Sequence, residues 1–168
     1  MKNEQLLFRE GLQAYSPVAW EQLPDLGLYM DQIITYLERQ LTPILGDQER
    51  LFTPAMVNNY VKMKLVDRPI AKKYGREQLA QLLMISLLKQ AATAEEIKQL
   101  FQLHAGEPVS QIYASFCAAQ GEIAREMAVS PPLSSPLHCA IRASTCRLLL
   151  SAVIREAGSF QDTPQAEK

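Results

Sequence analysis

The sequence predicts an all-α protein, with a helical core followed by a C-terminal helical hairpin. Three observations predict it. Ala, Leu, Gln, Glu and Lys dominate, and these are helix formers. Apolar residues recur at the helical period of 3.6, not in strand-like alternation. Helix starts are written out: Thr53-Pro54 and Ser135-Pro136 place a hydroxyl at the N-cap and a proline at the first helical position, and Thr93…Glu96 forms a capping box. With 168 residues, 48% of them hydrophobic, the chain can bury a sizeable core.

Taken in order, residues 4–15 allow a helix with Leu6, Leu7 and Leu12 on its apolar side. Ser16-Pro17 can cap a short turn carrying Trp20, and Leu23-Pro24-Asp25 breaks the chain. From Leu28, Met30, Ile33, Ile34, Leu37 and Leu41 keep helical spacing, and Thr42-Pro43 and Gly46-Asp47 mark a loop or frayed turn. After the Thr53 cap, Met56, Val57, Tyr60 and Val61 form an apolar face. Ala55, Asn58, Asn59 and Lys62 form the opposite, polar face. Arg68-Pro69 sets a limit on that helix, because a residue before proline leaves the helical region. Residues 76–90 are apolar nearly all round and should lie at the centre. The helix behind Thr93 ends by Gly106, the next runs from Pro108 to about Ala128, and the last runs from Pro136 to about Ala157. These readings divide the chain into an N-terminal helical segment (1–22), a core domain (23–106), a hairpin (107–158) and a flexible polar tail (159–168).

Charge is unevenly spread. Residues 1–52 carry 4 basic and 8 acidic groups, residues 53–77 carry 6 basic and 2 acidic, and the whole chain has a net charge of −1. A local basic patch can hold phosphates on a neutral chain, and it can equally be an ordinary solvated face. Three cysteines without a CxxC pair make a poor disulfide framework. No apolar signal core opens the chain, and the apolar run 137–154 is interrupted by Arg142 and Arg147. A reduced, cytoplasmic protein is the expectation. His104 and His138 have no partner at metal-ligand spacing, and GxSxG, P-loop, GxGxxG and HExxH motifs are absent from the sequence. Neither a metal, a cofactor nor an enzymatic activity is expected.

The strings LPDLGLYMDQIITYLERQL (23–41), TPAMVNNYVK (53–62), RPIAKKYGREQLAQLLMISLLKQ (68–90) and TAEEIKQLF (93–101) resemble the uncharacterised bacterial family catalogued as domain of unknown function 1836. Its members are described as regulators, which is what the resemblance implies here. A more distant resemblance is to the MerR-type winged helix-turn-helix. Tyr60, Lys64-Leu65-Val66, Pro69, Lys72-Lys73-Tyr74 and Leu79/Leu82/Ile85 take the places of that pattern's recognition helix, turn, wing and following helix. It implies a MerR-like winged core with a two-stranded wing around 66–74. Three features depart from it: a longer connection at 42–52, no arginine on the outer face of the second helix, and a break at Pro131–Pro136.

The candidate residues follow. Asn58 and Asn59 carry amides suited to the N6/N7 edge of adenine, and two neighbouring asparagines in a helix ask for a reason. An intramolecular capping role is the plainer alternative. Tyr60 is a core residue with its hydroxyl at the rim, which the MerR-like resemblance places near a phosphate. Lys62, Lys64, Arg68, Lys72, Lys73 and Arg76 would hold the backbone of duplex DNA. The reading is a DNA-binding transcriptional regulator, homodimeric through 108–157. The alternative is a non-catalytic helical protein-interaction module, or a small-molecule sensor with a pocket among Trp20, Phe101, Tyr113 and Phe116.

Overall fold

The computed structural model describes residues 4–46, 52–129 and 135–161, and over these it is all-helical. The helices are α1 (Glu4–Ala14), α2 (Met30–Leu45), α3 (Pro54–Lys62), α4 (Arg76–Leu88), α5 (Ala94–Leu103), α6 (Val109–Val129) and α7 (Pro136–Gln161), with a 3-10 turn at Trp20–Gln22. The middle of the 42–52 connection, the Pro-rich link at 130–134 and the last seven residues of the expected tail lie outside the described residues. Where a two-stranded wing was expected, no strand forms among the described residues. Two isolated antiparallel bridges stand there instead, Ile70 with Lys73 and Leu28 with Tyr74.

The chain divides into two compact units, residues 1–84 with 107–132 and residues 85–106 with 133–168. This differs from the division at 106/107 read from the sequence. α6 packs on α1 and the 3-10 turn within the first unit, and α7 packs on α5 within the second. The N-terminal helix α1 is part of the first unit.

In the first unit, Ile33, Leu37 and Leu41 of α2 recur every four residues and are at most 1% exposed. Burying each stabilises by roughly 1.5–3 kcal/mol relative to leaving it in water. α2 runs on through Pro43, where the sequence suggests a loop or frayed turn, to Leu45, and is capped by Gly46, whose φ of +78° suits glycine. Thr42 Oγ1 donates to the Glu38 carbonyl at 2.7 Å beside that proline. On α1, Arg9 Nη2 donates to the Ala128 carbonyl at 2.8 Å, so a cation closes the C-terminal end of α6. Tyr113 of α6 is 2% exposed and donates its hydroxyl to the Val18 carbonyl at 2.9 Å. Its ring lies 6.3 Å from Trp20 and 6.5 Å from Phe116. α4 is buried as its composition predicts: Leu79, Ala80 and Leu82 to Met84 lie in the core of the first unit, and Ile85 and Ser86, which begin the second, are buried as well.

In the second unit, Glu96 joins α5 to α7. Its carboxylate accepts from the Thr93 N–H at 2.9 Å, completing the expected capping box, and from Arg147 Nη1 and Nη2 at 3.0 and 2.8 Å. Ser151 Oγ donates to it at 2.9 Å. The Thr93 N–H bond first, then the Ser151, Thr93 and Arg147 side chains, hold Glu96 down to about 2 against their opponent, desolvation. A carboxylate lowered in the folded state stabilises fully above its unfolded value, here 4.5. That stabilisation is lost as pH falls from 4.5 toward 2. Acid unfolding of the wild type, followed by far-UV circular dichroism, should therefore steepen in this window. Glu96→Gln keeps the cap geometry, lacks the charge, starts less stable at pH 7, and should lose this component of the acid transition.

Candidate nucleic-acid interface

α3 begins as its sequence dictates. Thr53 is the N-cap, its Oγ1 accepts from the Met56 N–H at 3.3 Å, and Pro54 takes the first helical position. Val57 is 1% exposed, with Met56, Tyr60 and Val61 half-buried on the same side. Ala55, Asn58, Asn59 and Lys62 are all exposed on the other. Burial raises the Tyr60 phenol above its ordinary value, which fits a ring embedded at the rim. Asn59 Nδ2 lies 3.5 Å from Met63 Sδ, a weak partner for an amide.

The helix ends at Lys62, well before the Arg68-Pro69 limit. Lys64 turns into the left-handed region at φ 60°, and the Leu65 N–H donates back to the Tyr60 carbonyl at 2.9 Å. This αL closure stops the helix without proline. It also sends Leu65 and Val66, each 2% exposed, into the core.

The basic stretch is a tight hairpin turn. Ile70 and Lys73 exchange both backbone bonds, at 3.0 and 2.9 Å, around Ala71 and Lys72, which both have positive φ (49° and 64°). Positive φ at both central positions matches the twist of a two-residue hairpin, and asparagine and glycine are its usual occupants. Ala71→Asn keeps every charge and eases the cost of a Cβ in that region. It should stabilise by somewhat under about 1 kcal/mol, read from the urea midpoint.

The base of the turn is held from two sides. Leu28 and Tyr74 exchange backbone bonds at 2.9 Å each, so the segment before α2 pairs with the segment after the turn. A Cβ at Gly27 would stand 2.9 Å from Lys73 Cβ, so only glycine allows this approach. From α4, Gln78 accepts from the Gly75 N–H at 2.8 Å, and Gln81 both accepts from the Asp67 N–H and donates to its carboxylate, at 3.3 Å each. Gly27, Leu28, Gln78 and Gln81 were not singled out from sequence. The glutamines three apart at the start of α4 were the one visible signal.

Of the candidate cations, Lys62, Lys64, Arg68, Lys72 and Lys73 are exposed. Lys73 Nζ lies 5.1 Å above the Tyr29 ring. Arg76 is placed differently. Its Nε donates to the Leu23 carbonyl at 3.2 Å, its guanidinium sits 5.8 Å over the Trp20 ring, and Asp25 is 3.9 Å away. These contacts brace the 20–25 segment against the start of α4. Ile70, at the turn, is 81% exposed.

Of the four residues named for a small-molecule pocket, Trp20, Tyr113 and Phe116 lie together in the first unit, with ring centroids 6.3 and 6.5 Å apart, and Phe101 belongs to the second unit. A separate open groove of about 720 Å³ lies within the second unit, lined by Lys89, Ala92, Thr93, Ala143, Arg147 and Leu150 among others. Among the described residues, no group of three or more His, Cys, Asp or Glu could hold a metal ion.

An all-α chain presenting an exposed amide-bearing helix and a braced basic turn is the class that this fold and surface define. The family model described as Domain of unknown function (DUF1836) matches residues 18–116, more than half of the chain, and the protein belongs to that family. No curated protein and no solved structure matches it.

Proposed function

We propose that the protein is a DNA-binding transcriptional regulator that reads duplex DNA with α3 and steadies it with the basic turn at 66–76. The observation that carries this reading is the exposure of Ala55, Asn58, Asn59 and Lys62 on one side of α3, followed in the chain by exposed Lys64, Arg68, Lys72 and Lys73. Amides that face water can reach adenine edges, and cations beside them can hold phosphates. In this reading α2 and α3 form a helix-turn-helix unit of MerR-like kind, the 70–73 turn serves as a reduced wing, and Ile70 meets the sugar edges of a groove. Arg76 positions the turn and leaves the phosphates to Lys72 and Lys73. Self-pairing would let two copies read two half-sites.

The test is selection of bound fragments from genomic DNA, then fluorescence anisotropy on the enriched duplex and on random duplex at two salt concentrations. An enriched motif, and affinity falling steeply with salt, support the reading. No enriched motif, with random-duplex binding that salt leaves unchanged, overturns it.

A further inference from the structure

α7 leaves one side unaccounted for. Toward α5 it presents Arg147 and Ser151, which bind Glu96, and Ile154, which is 3% exposed. Leu137, Ile141, Leu148, Leu149 and Val153 are instead 67, 52, 71, 63 and 52% exposed. At 100° per residue these five fall on the side away from Arg147 and Ile154. Together they expose on the order of 500 Å² of apolar surface, at the upper end of the largest patch that a typical monomer carries. That is more than half of the roughly 800 Å² each partner contributes to a stable interface.

The pattern on this side also has a register. Ile141, Thr145, Leu148, Ala152 and Arg155 are spaced 4, 3, 4 and 3, the seam of a seven-residue repeat. Arg142, Leu149 and Glu156 follow one flank of that seam, and Arg142 and Glu156 stand seven residues to either side of Leu149. An antiparallel copy of the same helix, turned about a two-fold axis at Leu149, sets Leu149 against itself and Arg142 beside the partner's Glu156. Opposite charges therefore meet at the edge of the seam.

We propose that this face of α7 is covered by α7 of a second copy of the chain, packed antiparallel about a two-fold axis at Leu149. The inference stands apart from the DNA reading. A bilayer is the competing occupant, since the helix over 136–158 is long enough to cross one and its most apolar window reaches a mean hydropathy of 1.4. The self-complementary charges, and the arginines at 142, 147 and 155, favour the second copy.

The experiment uses the full chain purified without detergent. Light scattering at micromolar concentration should give twice the 18.9 kDa chain mass. Leu148→Glu/Leu149→Glu should give a monomer with an unchanged far-UV spectrum. Arg142→Glu should weaken the dimer, and Arg142→Glu/Glu156→Arg should restore it. With the three native cysteines changed to serine, a short bis-maleimide should join Leu149→Cys protomers. It should not join His138→Cys protomers, which an antiparallel pair holds roughly 33 Å apart along the axis. A monomer at all concentrations up to 100-fold higher, a dimer that survives the double glutamate change, or linkage at both cysteine positions overturns the proposal. Flotation of the wild type with phosphatidylcholine vesicles, abolished by the glutamates, overturns it in favour of the bilayer.

Discussion

Lys72→Ala/Lys73→Ala is expected to weaken binding to every duplex, whatever its sequence, and to flatten the dependence of log affinity on log salt by about two units. Both side chains are exposed on the 70–73 turn, whose backbone closes on itself. Their removal takes away two charges and the contact of Lys73 with the Tyr29 ring, and leaves the backbone closure of the turn in place. Each lysine that neutralises a phosphate releases condensed counterions, with a slope of about 0.9 per contact. Between 50 and 200 mM salt the wild type should then lose roughly ten times more affinity than the double variant. Asn59→Ala should act otherwise. Its amide has only a weak intramolecular partner in Met63 Sδ, so its loss should leave stability and salt slope alone. It should remove roughly 1–3 kcal/mol of discrimination at one A·T pair. Anisotropy titrations on matched and mismatched duplexes separate the two effects. If the wild type and the double lysine variant show the same salt slope on all duplexes, the DNA reading is lost.

Tyr113→Ala should destabilise the first unit by roughly 3–5 kcal/mol, as truncation of a buried aromatic does. Domains hold only about 5–15 kcal/mol in total, so much of the folded population should disappear at 37 °C. The ring fills the space between Trp20 and Phe116, and the hydroxyl ties α6 to Val18. Tyr113→Phe keeps the ring and leaves the Val18 carbonyl to Cys117 Sγ, which lies at 3.7 Å, so its cost should be about 1–2 kcal/mol. Trp20 is the single tryptophan, so intrinsic fluorescence reports this neighbourhood directly. Equal urea midpoints for wild type and Tyr113→Ala would refute the packing argument. A pH consequence follows from the same cluster. Burial, followed by the nearby Cys117, pushes Tyr113 upward and Tyr15 up to about 12. The unfolded state releases these protons from about pH 10, before the folded state does. Stability should thus be fully present below pH 10 and fall as pH rises beyond it.

Local signals were read well from sequence. The Thr53 cap with Pro54, the Thr93–Glu96 capping box and the encircling apolarity of α4 each depend on a few neighbouring residues, and each appears in the fold. The two faces of α3 were equally legible, because a 3.6-residue period needs no tertiary information. Boundaries were read less well. α3 stops at Lys62 because Lys64 can enter the left-handed region, a backbone choice with no clear residue signature. α2 and α7 continue past their expected ends, at 41 and 157, to Leu45 and Gln161.

What only the tertiary structure decided is everything joined across long sequence separation. Leu28 pairing with Tyr74, Arg9 closing α6, and Arg76 turning to Leu23 and Trp20 leave no periodic trace, because each joins segments far apart in the chain. The same cause set α6 on α1 and α7 on α5. Both carry small and apolar residues in similar proportion, and composition cannot say which neighbour a helix will choose. The sequence by itself determined that the chain is helical, where most of its helices begin, and that α3 has an amide-bearing face. Packing decided which cations remain exposed and which one braces the scaffold. A cation's role depends on the carbonyls and rings within its reach, and those come from elsewhere in the chain.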